Sequence, residues 1–154
     1  MKIAVVDDER PARSELKYLI SQCEPNAEIA EADDSETFLE MLDSERFDVC
    51  FVDINLGGMN GTTLASMIKR KQPDTLIIFA TAFQEYAVKA FEIGAIDYLL
   101  KPFDYERVKR ALARVHENLK EKEAEPGYVV TGHKFIDIFM PRLITLLPMR
   151  TSGK

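Results

Sequence analysis

Apolar positions follow two alternating patterns up to about residue 120. Ile3-Ala4-Val5-Val6, Val49-Cys50-Phe51-Val52 and Leu76 to Ala80 are unbroken apolar runs, which predict strands buried on both faces. Residues 28–32 and Tyr98-Leu99-Leu100 predict two more short strands. Each run is followed by apolar residues at helical spacing. Ala12, Leu16, Leu19 and Ile20 form one stripe, and Phe38, Leu39 and Leu42 a second. The Gly-rich loop Leu56-Gly57-Gly58-Met59-Asn60-Gly61 leads into a helix through about Lys71 that Pro73 ends. Tyr86, Ala90 and Ile93 mark the fourth helix. Asp104 caps a fifth, on which Val108, Leu112, Val115 and Leu119 share a face.

Five strand–helix units in sequence predict an α/β fold: a parallel sheet covered on both faces, with right-handed crossovers, in a doubly wound sandwich. Such sheets place their chemistry beyond the carboxyl ends of the strands. The first strand ends in Asp7-Asp8-Glu9, the third in Asp53, the fourth in Thr81-Ala82 and the fifth in Lys101-Pro102. Taken singly, each has a plain structural explanation. An acidic pair suits a helix N-terminus, Asp53 a turn, Thr81 a strand-end hydroxyl and Lys-Pro a solvated turn. Together they bring carboxylates, a hydroxyl and an ammonium to one rim. Clustered carboxylates repel unless a cation or protons relieve them, and Mg²⁺ suits one or two direct carboxylates, several waters and a phosphate oxygen.

Val-Val-Asp-Asp-Glu, Asp53 after Cys-Phe-Val, Thr81-Ala82, Lys101-Pro102-Phe103 and Gly61 after the loop resemble the receiver domain of a two-component response regulator. The resemblance covers residues 1–120. Phe83-Gln84-Glu85-Tyr86-Ala87, Ala90-Phe91-Glu92 and Asp97 to Phe103 are most similar to the LytTR-type transcriptional regulators. The family's fold is a flavodoxin-like five-stranded sheet in the order 2-1-3-4-5. The resemblance implies that a histidine kinase presents a phosphohistidine and that Asp53 accepts the phosphoryl group. It implies a Mg²⁺ ligand set of Asp8 directly, Asp7 through water, Asp53 and the backbone carbonyl of Asn55. Lys101 and Thr81 would contact the phosphoryl group, with Thr81 and Tyr98 as switch residues. Neither His116 on the final helix nor His133 further on is expected to donate phosphate.

The expected output face is the fourth helix, fifth strand and fifth helix. Glu85, Lys89, Glu92, Asp97, Glu106, Arg107, Lys109, Arg110 and Arg114 are read as its exposed charges, a mixture suited to an isologous homodimer or to plain solvation. Such a protein is a signalling phosphoprotein of a phosphorelay, not an enzyme beyond its own phosphorylation and dephosphorylation. An aspartyl-nucleophile phosphatase of the haloacid dehalogenase type is a remote alternative: it would carry a second Asp two positions on, where this chain has Asn55. A flavodoxin-like cofactor binder would need a phosphate-cradling loop where this chain has Asp7-Asp8-Glu9, and a P-loop is absent.

Charge sharpens the division of the chain. The net −6 splits into +3 over residues 126–154, from Lys134, Arg142, Arg150 and Lys154 against Asp137, and −9 over the first 125. An acidic body of that kind repels a phosphate backbone, so DNA binding by the 154-residue chain is not expected. No run reaches the roughly 20 apolar residues of a membrane span. Cys23 and Cys50 offer neither a disulfide framework nor metal spacing, which fits a cytoplasmic protein. The expected division is a receiver over 1–121, a linker over 122–127 with Pro126-Gly127, and a tail over 128–154. Two short strands could form at Tyr128-Val129-Val130 and Phe135 to Phe139. The tail reads as the remnant of an effector, as in a truncated or frame-altered regulator lacking most of its DNA-binding domain. A stand-alone receiver, acting by phosphorelay or protein contact, is the alternative.

Overall fold

The computed structural model describes residues 1–124. Strands and helices alternate as β1 (Lys2–Val6), α1 (Arg10–Cys23), β2 (Glu28–Ala32), α2 (Ser35–Leu42), β3 (Val49–Val52), α3 (Gly61–Lys71), β4 (Leu76–Thr81), α4 (Ala87–Ile93), β5 (Asp97–Leu100) and α5 (Tyr105–Ala124). All strand pairings are parallel and the order is β2-β1-β3-β4-β5, the doubly wound, flavodoxin-like arrangement expected from the sequence.

The unbroken apolar runs become central strands because both of their faces are covered. Val49 and Phe51 of β3 join Leu76, Ile78 and Ala80 of β4 against Leu16 and Ile20 of α1 and Val108, Leu112 and Val115 of α5. The intervening Cys50, Val52, Ile77 and Phe79 pack against Phe38 of α2, Leu64 and Ile68 of α3 and Ala90 of α4. This two-residue alternation divides one sheet between two cores. Each fully buried Leu, Ile or Phe contributes about 1.5–3 kcal/mol. Packing of this kind, more than local propensity, holds a helix as short as α4 in place. Edge strand β2 is polar on its open side, with Glu28 and Glu31 exposed, which discourages further strand pairing.

Local signals set the helix ends. The Asn60 side chain accepts from the Thr62 N–H at 2.8 Å and so caps α3. Asp34 caps α2 through the Thr37 N–H. Gly94, at φ 93°, closes α4 in the left-handed conformation that favours glycine. α5 runs through Ala124, so residues 122–124 of the expected linker are helical. The rest of that linker, the 128–154 segment with its expected strand pair, and His133 lie outside the described residues.

Candidate functional site

The first residue after each of β1, β3 and β5 is still bonded to a neighbouring strand. The Asp7 N–H donates to the Ala32 carbonyl (3.2 Å), that of Asp53 to Val6 (3.0 Å) and that of Lys101 to Thr81 (2.8 Å). The rim groups therefore stand on fixed backbone. Asp7 and Asp53 are buried, at 2% and 4% exposure, and Asp8 faces solvent. Carboxylate oxygens of Asp7, Asp8 and Asp53 lie within 4.8 Å of one another.

Lys101 crosses from β5 to this cluster. Its ammonium lies 3.0 Å from Asp7 Oδ2, 3.0 Å from Asp53 Oδ2 and 2.8 Å from Glu9 Oε1. A lysine ammonium has three donors, and three carboxylates surround this one. Burial works against its charge, but the bonds to Glu9, Asp53 and Asp7 carry its pKa above the ordinary lysine value. Burial likewise pushes the Asp7 carboxyl up to about 6, helped by the charge of Asp53 and opposed by the Glu9 N–H and Lys101. Glu9 is lowered by its bond to Lys101. The carboxyls of Asp7, Asp8, Asp53 and Glu9 outnumber the Lys101 ammonium and leave an excess of negative charge at the rim. An all-oxygen donor set with that excess fits a hard divalent cation.

The loop after β3 is built around close approach. A Cβ on Gly61 would fall 2.0 Å from the Asp53 carbonyl oxygen, and the Gly61 N–H bonds the Ile54 carbonyl at 2.6 Å. Gly57, at φ 75°, lies beside the Asp8 carboxylate. Asn55 sits two residues beyond Asp53, with its N–H 3.4 Å from Asp53 Oδ1.

Thr81 and Tyr98 meet at one residue, Phe83. The Phe83 N–H lies 3.3 Å from Thr81 Oγ1, and the Tyr98 hydroxyl donates to the Phe83 carbonyl. Tyr98 is 2% exposed, its ring centroid 6.1 Å from that of Phe79, and burial pushes its phenol up to about 12. The loop between β4 and α4 is thus held by two groups.

Several of these contacts were not foreseen from sequence. In the sequence Glu9 is only one residue of the acidic run, yet in the structure it is a third partner of Lys101. Arg13 braces the acidic loop: it donates to the Asp7 carbonyl at 2.7 Å and pairs with Glu31 at 2.8 Å. Asp97 was expected among the exposed charges of the output face. It is instead 0% exposed and paired within the chain to Arg107 (2.6 Å) and Arg114 (3.0 Å), because α5 covers this end of β5. The spacing of those arginines, two helical turns apart, was the available signal. Glu85, Lys89, Glu92, Glu106, Lys109 and Arg110 are exposed as expected. His116 is half exposed and contacts Glu24 at 2.7 Å on the α1–α5 side.

Among the described residues, two of the clefts open at the rim. One, of about 410 Å³, lies between the loops after β3 and β4 and is lined by Asn55, Met59, Asn60, Phe83 and Tyr86 among others. The other, about 810 Å³, is lined by Glu9, Pro11, Ala12, Glu15, Lys101 and Pro102. Among the described residues no helix is long and apolar enough to cross a membrane.

Comparison with known proteins agrees with this architecture. Residues 3–113 match the response regulator receiver domain family. The sensory transduction protein LytT of Bacillus cereus is 42% identical over 132 residues, covering 86% of this chain and 53% of that protein. LytR of Staphylococcus haemolyticus is 47% identical over 119 residues, covering 77% of this chain and 46% of that protein. The chain spans about half the length of the curated relatives it matches. Among solved structures, the response regulatory domain of mrkE from Klebsiella pneumoniae superposes with a TM-score of 0.73 at 35% identity, over 79% of this chain and 99% of that one. The REC domain of AraT, a response regulator from Geobacillus stearothermophilus, gives 0.72 at 37% identity, over 79% and 97%.

Proposed function

The chain belongs to the response regulator receiver domain family, and from that premise we propose that Asp53 accepts a phosphoryl group from the phosphohistidine of a sensor kinase. The observation that carries this reading is the burial of Asp53 at the end of β3, 3.0 Å from the Lys101 ammonium and within 4.8 Å of the Asp7 and Asp8 carboxylates. One Asp53 oxygen attacks phosphorus in line, the P–N bond breaks, and the imidazole leaves with its electron pair and takes up a proton. Phosphoryl transfer asks the protein mainly for position and charge neutralisation. Lys101 supplies a point charge to a phosphoryl oxygen. Thr81, now accepting from the Phe83 N–H, turns its hydroxyl hydrogen toward the phosphoryl group.

Asp8, Asp7 through water, Asp53 and the Asn55 carbonyl would hold Mg²⁺. Bound there, the ion would supply positive charge to the carboxylates and to the phosphoryl oxygens. The cleft beside Lys101, with Pro11, Ala12 and Pro102 next to Glu9 and Glu15, suits approach of the donor protein.

Loss of the Thr81–Phe83 contact loosens the loop that Tyr98 holds, which biases the tyrosine and the α4–β5–α5 face toward a second arrangement. Val88 and Leu100 are exposed there at 54% and 38%, among charges of both signs, which suits a homodimer. The protein then works in the cytoplasm as a signalling switch whose chemistry is confined to its own phosphorylation and dephosphorylation. It serves a transcriptional regulator whose contacts with DNA lie outside residues 1–124.

Asp53→Asn tests the core of this. Wild-type protein incubated with phosphoramidate and Mg²⁺ gains one acid-labile phosphoryl group by intact mass, and the variant gains none. Uptake by Asp53→Asn at the wild-type rate removes Asp53 as acceptor.

A further inference from the structure

A charged group at the far end of β5 has no part in phosphoryl transfer, yet it holds the backbone of Tyr98. Asp97 is 0% exposed. Its Oδ1 accepts the Tyr98 N–H at 2.8 Å and an Arg107 Nη2 bond at 2.6 Å, and its Oδ2 takes Arg107 Nη1 at 3.0 Å. Arg114, two turns further along α5, is an ion-pair partner at 3.0 Å. Arg107 Nη2 also lies 3.2 Å from the Tyr98 carbonyl. Both main-chain polar groups of Tyr98 are therefore bound by one forked Asp–Arg pair, while its hydroxyl holds Phe83 and Phe83 in turn bonds Thr81.

Stability alone does not explain a buried charge here. Withdrawing an ion pair from water costs roughly what the pairing returns, and well-packed apolar residues are often as stable. What the fork adds is geometry, since a planar guanidinium fixes a carboxylate by two parallel bonds. We infer that Asp97 and Arg107 are positioning residues that couple the Tyr98 backbone to the first turns of α5, making a path Thr81–Phe83–Tyr98–Asp97/Arg107 that carries the state of Asp53 to that helix. The inference rests on the phospho-acceptor reading above. It goes beyond that reading in naming the receiving element and the residues that connect it. A helix tied to Tyr98 at two backbone atoms follows any displacement of that residue; a helix in contact through apolar packing alone can slip past it.

The test uses the full chain, phosphorylated with phosphoramidate and Mg²⁺, and amide hydrogen exchange read by segment. In the wild type, phosphorylation changes exchange both in residues 82–86 and in residues 105–114. Arg107→Lys keeps a positive charge beside Asp97 but lacks the fork that bonds Asp97 and the Tyr98 carbonyl together. In that variant the 82–86 change persists and the 105–114 change falls at least about threefold, a loss of RT ln 3 in coupling. A merely structural role raises exchange of α5 equally in both states and leaves the phosphorylation difference intact. That result overturns the inference.

Tyr98→Phe cuts the same path at its other end, keeps the ring, and does not disturb the ion pair. It gives the same selective loss, so the question stays answerable if Arg107→Lys does not fold. An undiminished α5 response in either folded variant overturns the coupling. Phosphate uptake is measured on the same samples: a wild type that takes up none overturns the acceptor reading and the coupling with it, whereas normal uptake with an undiminished response overturns the coupling alone.

Discussion

Gly61 packs directly against the backbone of Asp53, so closely that a Cβ would stand 2.0 Å from the Asp53 carbonyl oxygen and 2.8 Å from the Ile54 Cα. No side chain fits, and the atoms in the way are backbone that cannot swing aside. Gly61→Ala is expected to force the loop after β3 outward, at a cost of about 1–3 kcal/mol as for other overpacked sites. The larger effect is on chemistry, because a displacement near 1 Å at a reacting group costs on the order of a hundredfold. Urea unfolding and the rate of phosphate uptake from phosphoramidate, measured together, check this. Normal uptake in a folded variant shows that Asp53 does not depend on the glycine.

The Asp7 carboxyl gives a pH dependence of defined sign. Its pKa is about 6 in the folded protein against an ordinary value of 3.8. Between those values the native state holds a proton that the unfolded chain has released, so this group's contribution to stability is full below about pH 4 and is lost as pH rises through 6. The loss is on the order of 3 kcal/mol. In chelator-treated protein, the stability of Asp7→Asn relative to wild type should therefore rise between pH 4 and 7. A difference that stays flat across that range contradicts the raised pKa. Mg²⁺ binding adds a second reading: a proton on Asp7 removes a negative charge beside the ion, so affinity should fall as pH drops below 6.

The chain order of these features was legible because the sheet is parallel. In such a sheet every strand ends on the same rim, so Asp7, Asp53, Thr81 and Lys101 could be placed together from strand boundaries alone. Side-chain partnership across long separations was not legible. Glu9 and Lys101 are 92 residues apart and become neighbours only because β1 and β5 project toward one point, and nothing in the acidic run singles out Glu9. Asp97 was misplaced for a related reason. A charged residue opening an edge strand normally faces water, but α5 lies across this edge and supplies two arginines. The Tyr98–Phe83 bond was also invisible, because a backbone carbonyl leaves no mark in the sequence.

Tyr98→Phe separates stability from signalling. The hydroxyl bonds the carbonyl of Phe83, in a loop whose residues 82–85 are exposed. The expected destabilisation is therefore that of one neutral hydrogen bond, about 1 kcal/mol, read from urea unfolding. Uptake of phosphate at Asp53 should be unchanged, since the hydroxyl is bonded to the loop and not to the acidic cluster. Phosphorylation-dependent dimerisation should weaken, because the β4–α4 loop no longer reports to β5. A variant that dimerises on phosphorylation as the wild type does would remove Tyr98 from the switch.

The exposed apolar residues of the α4–β5–α5 face allow the dimer to be tested without touching the acceptor. Val88 on α4 is exposed at 54%, so replacing it disturbs no core. Val88→Glu and Val88→Asp should each change stability by no more than about 0.5 kcal/mol. At an isologous interface the same substitution enters twice and meets its own copy or a neighbouring Glu92, so two carboxylates must be desolvated or repel. Light scattering on phosphorylated protein should then show dimer for the wild type and monomer for both variants, with uptake intact. Because the remaining contacts there carry charges of both signs (Lys89, Glu92 and Arg110), the wild-type dimer should also weaken as ionic strength rises from about 0.1 to 1 M, where the screening length drops from about 10 to 3 Å. Dimers that form equally well in both variants place the contact on another face.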